Sequence, residues 1–437
     1  MKSSKRKICQ AVVLAFSAMA ASAAMAQTVP NILGGGSSLI APTINTEIGD
    51  FGTTIGNMTY ETFSSGVGQS AFLNNDPTQF GLASTAGPVN FANSDAALTT
   101  AQVSTNGTYV RSATDGLLIQ LPYAVTPITI PYTQAPAGVP ATLVLNDFDL
   151  CGIFSGKITS WNQIQNPDNS NALFTSTAPI SVAYRSDNSG TSDLLTRHLQ
   201  AVCTTGTNGN SNVAFKESQS FASNFSGSIP TSFISASGSG GVAAVVVAAK
   251  TGSAGTVFAY LSPDYTNTTL ATQSTSASAN QLTVASLRNS HTGTDIVPTG
   301  AEATMALGAV LPPVSTGLAG RTNVINPFNW VPGAVLGSAA WTAIADPVSG
   351  YPISGTTNII VSQCYANSAS VTAVKDFLND HYTNSTFKAV LTGNGFDTVP
   401  ATYVTAITND ILTSNTNHTD IGDTATNACG ATGVVGR

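Results

Sequence analysis

ISVAYRSDNSGTSDLLTRHLQAVC, residues 180–203, decides how this chain is read, because it joins a strand, a polar turn and a helix, with an anion site at the junction. Ile180, Val182 and Tyr184 alternate with small or polar residues, as in a half-buried strand. After Arg185 come Asp187, Asn188, Ser189 and Gly190, and then Leu194, Leu195, His198 and Leu199 recur on one helical face. Ser189 is the expected N-cap. The first amide N–H groups of such a helix lack intrahelical acceptors and sit at the positive end of the helix dipole, so they face any anion placed there. Arg185 adds a planar fork of donors at the same spot. A plainer reading competes with this one: Ser189 only caps, and Arg185 pairs with Asp187 at the surface.

Working outward, residues 1–26 carry the pattern of an export signal. Lys2, Lys5, Arg6 and Lys7 precede an apolar run from residue 8 to 21, and Ala24-Met25-Ala26 forms a cleavage site of the A-x-A kind. The run is too short for a membrane span, and no other stretch is long enough. A periplasmic or secreted protein is therefore expected. Loss of the signal removes four of the 15 basic residues and none of the 22 acidic ones, leaving 11 against 22 and a formal charge of −11. Such a balance excludes nucleic-acid binding by bulk charge, and any bound anion must be held by local N–H groups and one or two placed cations. Charged residues make up only 8% of the chain while 42% are hydrophobic, which suffices for a core with a surface solvated by amides and hydroxyls.

Four cysteines remain after the signal: Cys151, Cys203, Cys364 and Cys429. Their spacings fit neither a zinc ribbon nor a C-x-x-C redox motif, and export places them in an oxidising compartment, so two disulfides are expected. Sequence permits three pairings; the nearest-neighbour one keeps each bridge within one half of the chain.

The strand–turn–helix pattern recurs. Gly34-Gly35-Gly36-Ser37-Ser38-Leu39 leads into a short helix ending near Phe51, although glycine runs near an exported N-terminus are also common linkers. Met58-Thr59-Tyr60 runs into Ser64-Ser65-Gly66 and a helix-like segment, and residues 235–241 form a third Gly/Ser turn before an apolar stretch. Val89 to Ser94 alternates as a strand ending in Asp95, an acid whose ordinary role is to cap a helix, here over residues 96–103. Residues 117–132 are dense in β-branched residues punctuated by Pro122, Pro127 and Pro131, as in a chain crossing between lobes. Helical and strand segments alternate throughout, so the class is α/β. Residues 266–323 give no clear elements.

Enzyme chemistry is thin. Gly156-Lys157 is followed by Ile158, not by the Ser or Thr of a nucleotide phosphate loop. None of the four histidines lies in an H-E-x-x-H pattern or beside a serine in a G-x-S-x-G turn, so each is expected as a surface or helix residue, and no metal or cofactor is expected.

Three Gly/Ser turns at strand-to-helix junctions, an Asp at a strand end and an Arg next to Ser-Gly-Thr together resemble the periplasmic phosphate-binding protein of the phosphate ABC transporter. The resemblance is closer still to the DING proteins, a secreted branch of that superfamily. GGGSSL from Gly34, LCGIFSGKITSW from Leu150, YRSDNSGTSDLLTRHLQAVCTT from Tyr184 and YPISGTTNIIVSQCYAN from Tyr351 look like that family's blocks in its order. The resemblance implies a two-lobed, hinged binding-protein fold of the Venus-flytrap type, with lobe I formed by residues 27–127 and 356–437 and lobe II by 128–355. It implies hinges near residues 125–128 and 355–358. It places phosphate contacts on Ser38 and Leu39 (backbone N–H), Ser65, Asp95, Arg185, Ser189, Gly190 and Thr191, and it implies the pairs Cys151–Cys203 and Cys364–Cys429. It also implies a monomer that serves the membrane subunits of a phosphate ABC transporter or scavenges phosphate after secretion. Three positions depart from the family pattern: its naming tetrapeptide reads Asn31-Ile32-Leu33-Gly34, Ser38 replaces a usual Thr, and Gly240 replaces a usual Asp.

Two further functions compete with phosphate binding: a phosphatase or phosphotriesterase-like hydrolase using the same cleft, and an extracellular adhesive role. An enzyme needs an activated nucleophile or a metal-bound water, and the implied contacts include neither a histidine nor a metal cluster.

Overall fold

The computed structural model describes residues 29–204, 209–252, 255–316 and 320–437. The expected export signal, residues 1–26, lies outside the described residues. Among those described, no helix is long and apolar enough to cross a membrane.

Two mixed sheets organise the chain. The first opens with β1 (Asn31–Ser37), β2 (Asn57–Phe63), β3 (Val89–Ser94) and β4 (Leu118–Pro127). After Pro127 the chain passes to a second sheet through β5 (Ile130–Tyr132) and β6 (Val144–Leu145), with a small separate pair, β7 (Gln165–Asn166) and β8 (Ala172–Leu173), beside it. The second sheet continues with β9 (Ile180–Arg185), β10 (Phe233–Ala236), β11 (Thr256–Phe258), β12 (Thr283–Asn289) and β13 (Thr294–Ile296). The chain then returns to the first sheet as β14 (Ser354–Ser362), giving the orders β2-β1-β3-β14-β4 and β10-β9-β11-β5-β12-β13, with β6 on β12. This is the α/β, two-lobed binding-protein architecture expected from the sequence.

The two crossing segments lie side by side. Gly355 pairs with Thr126 and Thr356 with Val125 in an antiparallel ladder, and Ile128 N–H donates to the Ile353 carbonyl at 2.8 Å. Between β13 and β14 the chain leans on both sheets. Ala303 and Leu307 of the helix Gly300–Leu307 pack with Val125 of β4, while Asn289 at the end of β12 donates to the Pro347 carbonyl at 2.9 Å.

The parallel strands explain where polar residues gather. β1 pairs in parallel with β2 and β3, and β9 with β10 and β11, so their carboxyl ends point the same way within each sheet. Helices Ala41–Phe51, Ser65–Asn74, Gly190–Val202 and Gly238–Thr251 start just beyond the ends of β1, β2, β9 and β10. The glycine run is not a linker. Gly34 to Gly36 lie inside β1, and a Cβ on Gly34 would fall 2.2 Å from the buried Phe91 ring, so only glycine lets these strands approach. The helix Ser368–Thr383 covers this sheet with Val374, Phe377 and Leu378 buried, three positions that share one helical face.

The disulfides are Cys151–Cys203 and Cys364–Cys429, the pairs the resemblance implies. One expectation fails. Residues 96–103 form no helix: Leu98 N–H is instead held by the Gln120 side chain at 2.9 Å, and Asp95 is engaged elsewhere. The histidines are surface or helix residues as expected, with His198 and His381 buried on the helices Gly190–Val202 and Ser368–Thr383.

Candidate anion site between the lobes

Each functional side chain is placed by a strand end or a first helical turn. Ser37 closes β1, and Ser38 and Leu39 form the turn before the helix Ala41–Phe51. Ser65 opens its helix, with Ser64 as N-cap accepting from Val67 N–H. Asp95 follows β3, and Arg185 ends β9. Ser189 caps the helix Gly190–Val202 by accepting from Ser192 N–H, leaving Gly190 and Thr191 in its first turn. All of these polar side chains are buried.

On the first lobe, Asp95 is 3% exposed. Its two oxygens each lie 2.8 Å from the Ser37 hydroxyl, and Ser65 Oγ is 3.4 Å from one of them. Burial raises the Asp95 carboxyl above the ordinary aspartate range, while the hydroxyl donors and the positive Arg185 pull the other way without cancelling the rise.

On the second lobe, Arg185 is also 3% exposed. Its Nε donates to Asp187 at 2.7 Å, Nη2 pairs with the other Asp187 oxygen, and Nη1 donates to Ser239 Oγ at 3.3 Å. Its backbone N–H donates to the Tyr260 hydroxyl at 2.9 Å. Burial pushes Asp187 up, yet the hydrogen bonds and charge of Arg185 outweigh it and hold the carboxyl below the usual range. The Arg185–Asp187 pair of the plainer reading therefore exists, but as a half-buried carboxylate clamping a buried guanidinium rather than as a surface pair.

The lobes meet over this set. Gly66 N–H donates to the Asn188 carbonyl at 3.0 Å, and a Cβ on Gly190 would stand 2.6 Å from Ala96 N, Asp95 Cβ and Ser65 Oγ. Ser239 N–H donates to Ser38 Oγ at 2.9 Å, and the Tyr265 hydroxyl donates to the Ser38 carbonyl at 3.0 Å. Thus Ser65, Asp95 and Gly190 meet at one point, while Ser38 and Arg185 are joined through Ser239. The Thr191 hydroxyl is buried with no hydrogen-bond partner among the described residues. Such an orphan in a first helical turn is suited to a ligand oxygen.

Sequence reasoning missed Ser37, Ser239 and the clamping role of Asp187. Ser37 and Ser239 lie in Gly/Ser turns that the sequence does single out, but which serine of a turn faces inward is set by tertiary packing. The four histidines are engaged elsewhere: His198 with the Ala345 carbonyl and Asp147, His381 with Glu47 and the Tyr123 carbonyl, His291 with Asp346, and His418 with Asp423. Among the described residues no group of three or more His, Cys, Asp or Glu is arranged to hold a metal ion.

Two α/β lobes closed over a buried cation, a buried carboxylate and a ring of hydroxyls and helix N-termini define the class of hinged substrate-binding proteins. Comparison with known proteins gives the family. A model of the PBP superfamily domain matches residues 21–307. Alkaline phosphatase L of Pseudomonas aeruginosa (strain UCBPP-PA14) is 34% identical over 424 residues, covering 96% of this chain and 98% of that protein. The solved structure of a high-affinity periplasmic phosphate-binding protein (PfluDING) bound with phosphate is 32% identical with a TM-score of 0.72, covering 93% of this chain and 99% of the other. A crystal structure described as a DING protein is 31% identical with a TM-score of 0.73 over the same shares. This chain belongs to the PBP superfamily and, within it, to the DING family.

Proposed function

We propose that the chain binds inorganic phosphate between its lobes, with Ser38, the Leu39 N–H, Ser65, Asp95, Arg185, Ser189, Gly190 and Thr191 as its contacts. The observation that carries this reading is a buried carboxylate, Asp95, set in the same closed cleft as a buried guanidinium, Arg185. A carboxylate beside a bound anion repels it unless the anion has a proton to donate. Phosphate near neutral pH carries one and sulfate does not, so Asp95 accepts from phosphate and rejects sulfate.

The lobes on this reading are residues 27–127 with 356–437, and 128–355, hinged where β4 and β14 run side by side. Cleavage after Ala26 places the protein in the periplasm or outside the cell, where it works as a monomer. Its task there is delivery to the membrane subunits of a phosphate ABC transporter or secreted scavenging. Titration calorimetry at neutral pH tests the reading. It predicts one phosphate per chain and far weaker sulfate binding; absence of phosphate binding, or equal affinity for sulfate, overturns it.

The name of the alkaline phosphatase L relative favours a second reading, ester hydrolysis in the same cleft. Against it, each histidine is engaged away from the cleft, so no imidazole stands ready to activate a nucleophile there. Release of phosphate from a model monoester by purified protein, abolished in Arg185→Ala, would establish hydrolysis.

A further inference from the structure

The third Gly/Ser turn is the part of the cleft that the proposed contact set leaves without a role. The helix Gly238–Thr251 begins there, and its N-cap, Ser237, makes no side-chain cap. Its first free N–H groups are satisfied from outside the helix. Gly238 N–H donates to Asp187 at 3.2 Å, and Ser239 N–H donates to Ser38 Oγ, which belongs to the opposite lobe, at 2.9 Å. The helix is therefore capped across the cleft, and opening the lobes uncaps it.

The hydroxyl of Ser239 extends the same connection. It accepts from Arg185 Nη1 at 3.3 Å and lies 3.1 Å from Ser38 Oγ. A hydroxyl has one proton and two acceptor positions. If Ser239 spends its proton on Ser38, both acceptor positions of Ser38 are filled, by Ser239 O–H and Ser239 N–H. The Ser38 proton is then left to point at an oxyanion.

We propose that Ser239 is a positioning residue that latches the two lobes, turns Ser38 into an obligate donor and so slows release of the anion. The proposal rests on the phosphate-binding reading for its ligand but not for the latch itself. Ser239 is fully buried where it bridges the lobes, and the glycine after it offers no side chain to share that connection.

The test compares wild type with Ser239→Ala, with circular dichroism checking that the variant keeps its fold. Stopped-flow fluorescence with inorganic phosphate should show dissociation faster by roughly 2- to 12-fold, the range expected for loss of one neutral hydrogen bond, since the Ser239 N–H bond to Ser38 survives the substitution, with the association rate and the phosphate-to-sulfate ratio unchanged. A dissociation rate equal to wild type, or a loss confined to association, overturns the latch. Small-angle scattering without phosphate supplies an independent readout: the variant should have a larger radius of gyration than wild type, and equal radii also overturn the proposal. If wild type binds no phosphate, the functional reading fails alone, and the scattering comparison still decides the latch.

Discussion

Replacing Asp95 by Asn removes one charge while keeping the shape of a side chain whose two oxygens both lie 2.8 Å from the Ser37 hydroxyl. The remaining amide oxygen still accepts from Ser37, so local structure should hold. What is lost is a charge-assisted hydrogen bond from protonated phosphate, about 1.5 to 3 kcal/mol, or roughly 10- to 150-fold in affinity. Sulfate should move the other way, because the amide offers it an N–H and no longer repels it. Competition titrations of phosphate and sulfate at neutral pH read the ratio directly. Stability supplies a check of opposite sign. Burial raises the Asp95 carboxyl, so the folded state binds its proton more tightly than the unfolded state does. Ligand-free wild type therefore loses stability as pH climbs from the ordinary aspartate value to the raised one, and stays lower above it. Asp95→Asn should unfold at a higher temperature than wild type at neutral pH, with the gap closing at acid pH. A variant with an unchanged phosphate-to-sulfate ratio would refute the selectivity argument.

Three other outcomes are expected. Arg185→Ala should weaken phosphate binding by about 2 to 5 kcal/mol, because a buried cation is deleted while Asp187 stays behind; affinity within twofold of wild type by calorimetry rules Arg185 out as the main cation. Gly190→Ala places a methyl 2.6 Å from Ala96 N and Asp95 Cβ. Overpacking of about 1 to 3 kcal/mol should fall on the closed state and weaken phosphate binding with folding preserved, measured by titration beside circular dichroism. The Cys364–Cys429 bridge closes a loop with a sequence separation of 65, so the Cys364→Ser/Cys429→Ser protein should lose about 4 kcal/mol in urea unfolding, and a loss under 1 kcal/mol would contradict that account.

Much of the cleft is legible in short stretches of sequence because its parts are local. Alternation in Ile180 to Tyr184, a Ser cap and a helical stripe of leucines specify a strand, a turn and a helix without help from distant residues. Asp95 shows the limit. Its position after a strand reads as a helix cap, but the carboxylate is claimed by Ser37 and Ser65, which are 58 and 30 residues away, and the expected helix over 96–103 does not form. Ser239 is less legible still, since its partner Ser38 is 201 residues distant and on the other lobe. The buried cluster of Glu47, Tyr123 and His381 is equally silent in sequence. Tyr123 donates to Glu47 and stacks on His381 at 3.5 Å, and His381 lies 3.2 Å from Glu47 across 334 residues. Within residues 266–323 the elements are short, such as Thr275–Asn280 and Thr294–Ile296, and runs of that length carry too little periodicity to be recognised.

A crystal structure of the protein grown with inorganic phosphate at neutral pH tests the central claim most directly. The account predicts one phosphate enclosed between the lobes, with an oxygen within hydrogen-bonding distance of the Asp95 carboxylate and another on the Arg185 guanidinium. Phosphate bound outside the cleft, or inside it without contact to Asp95, would contradict it.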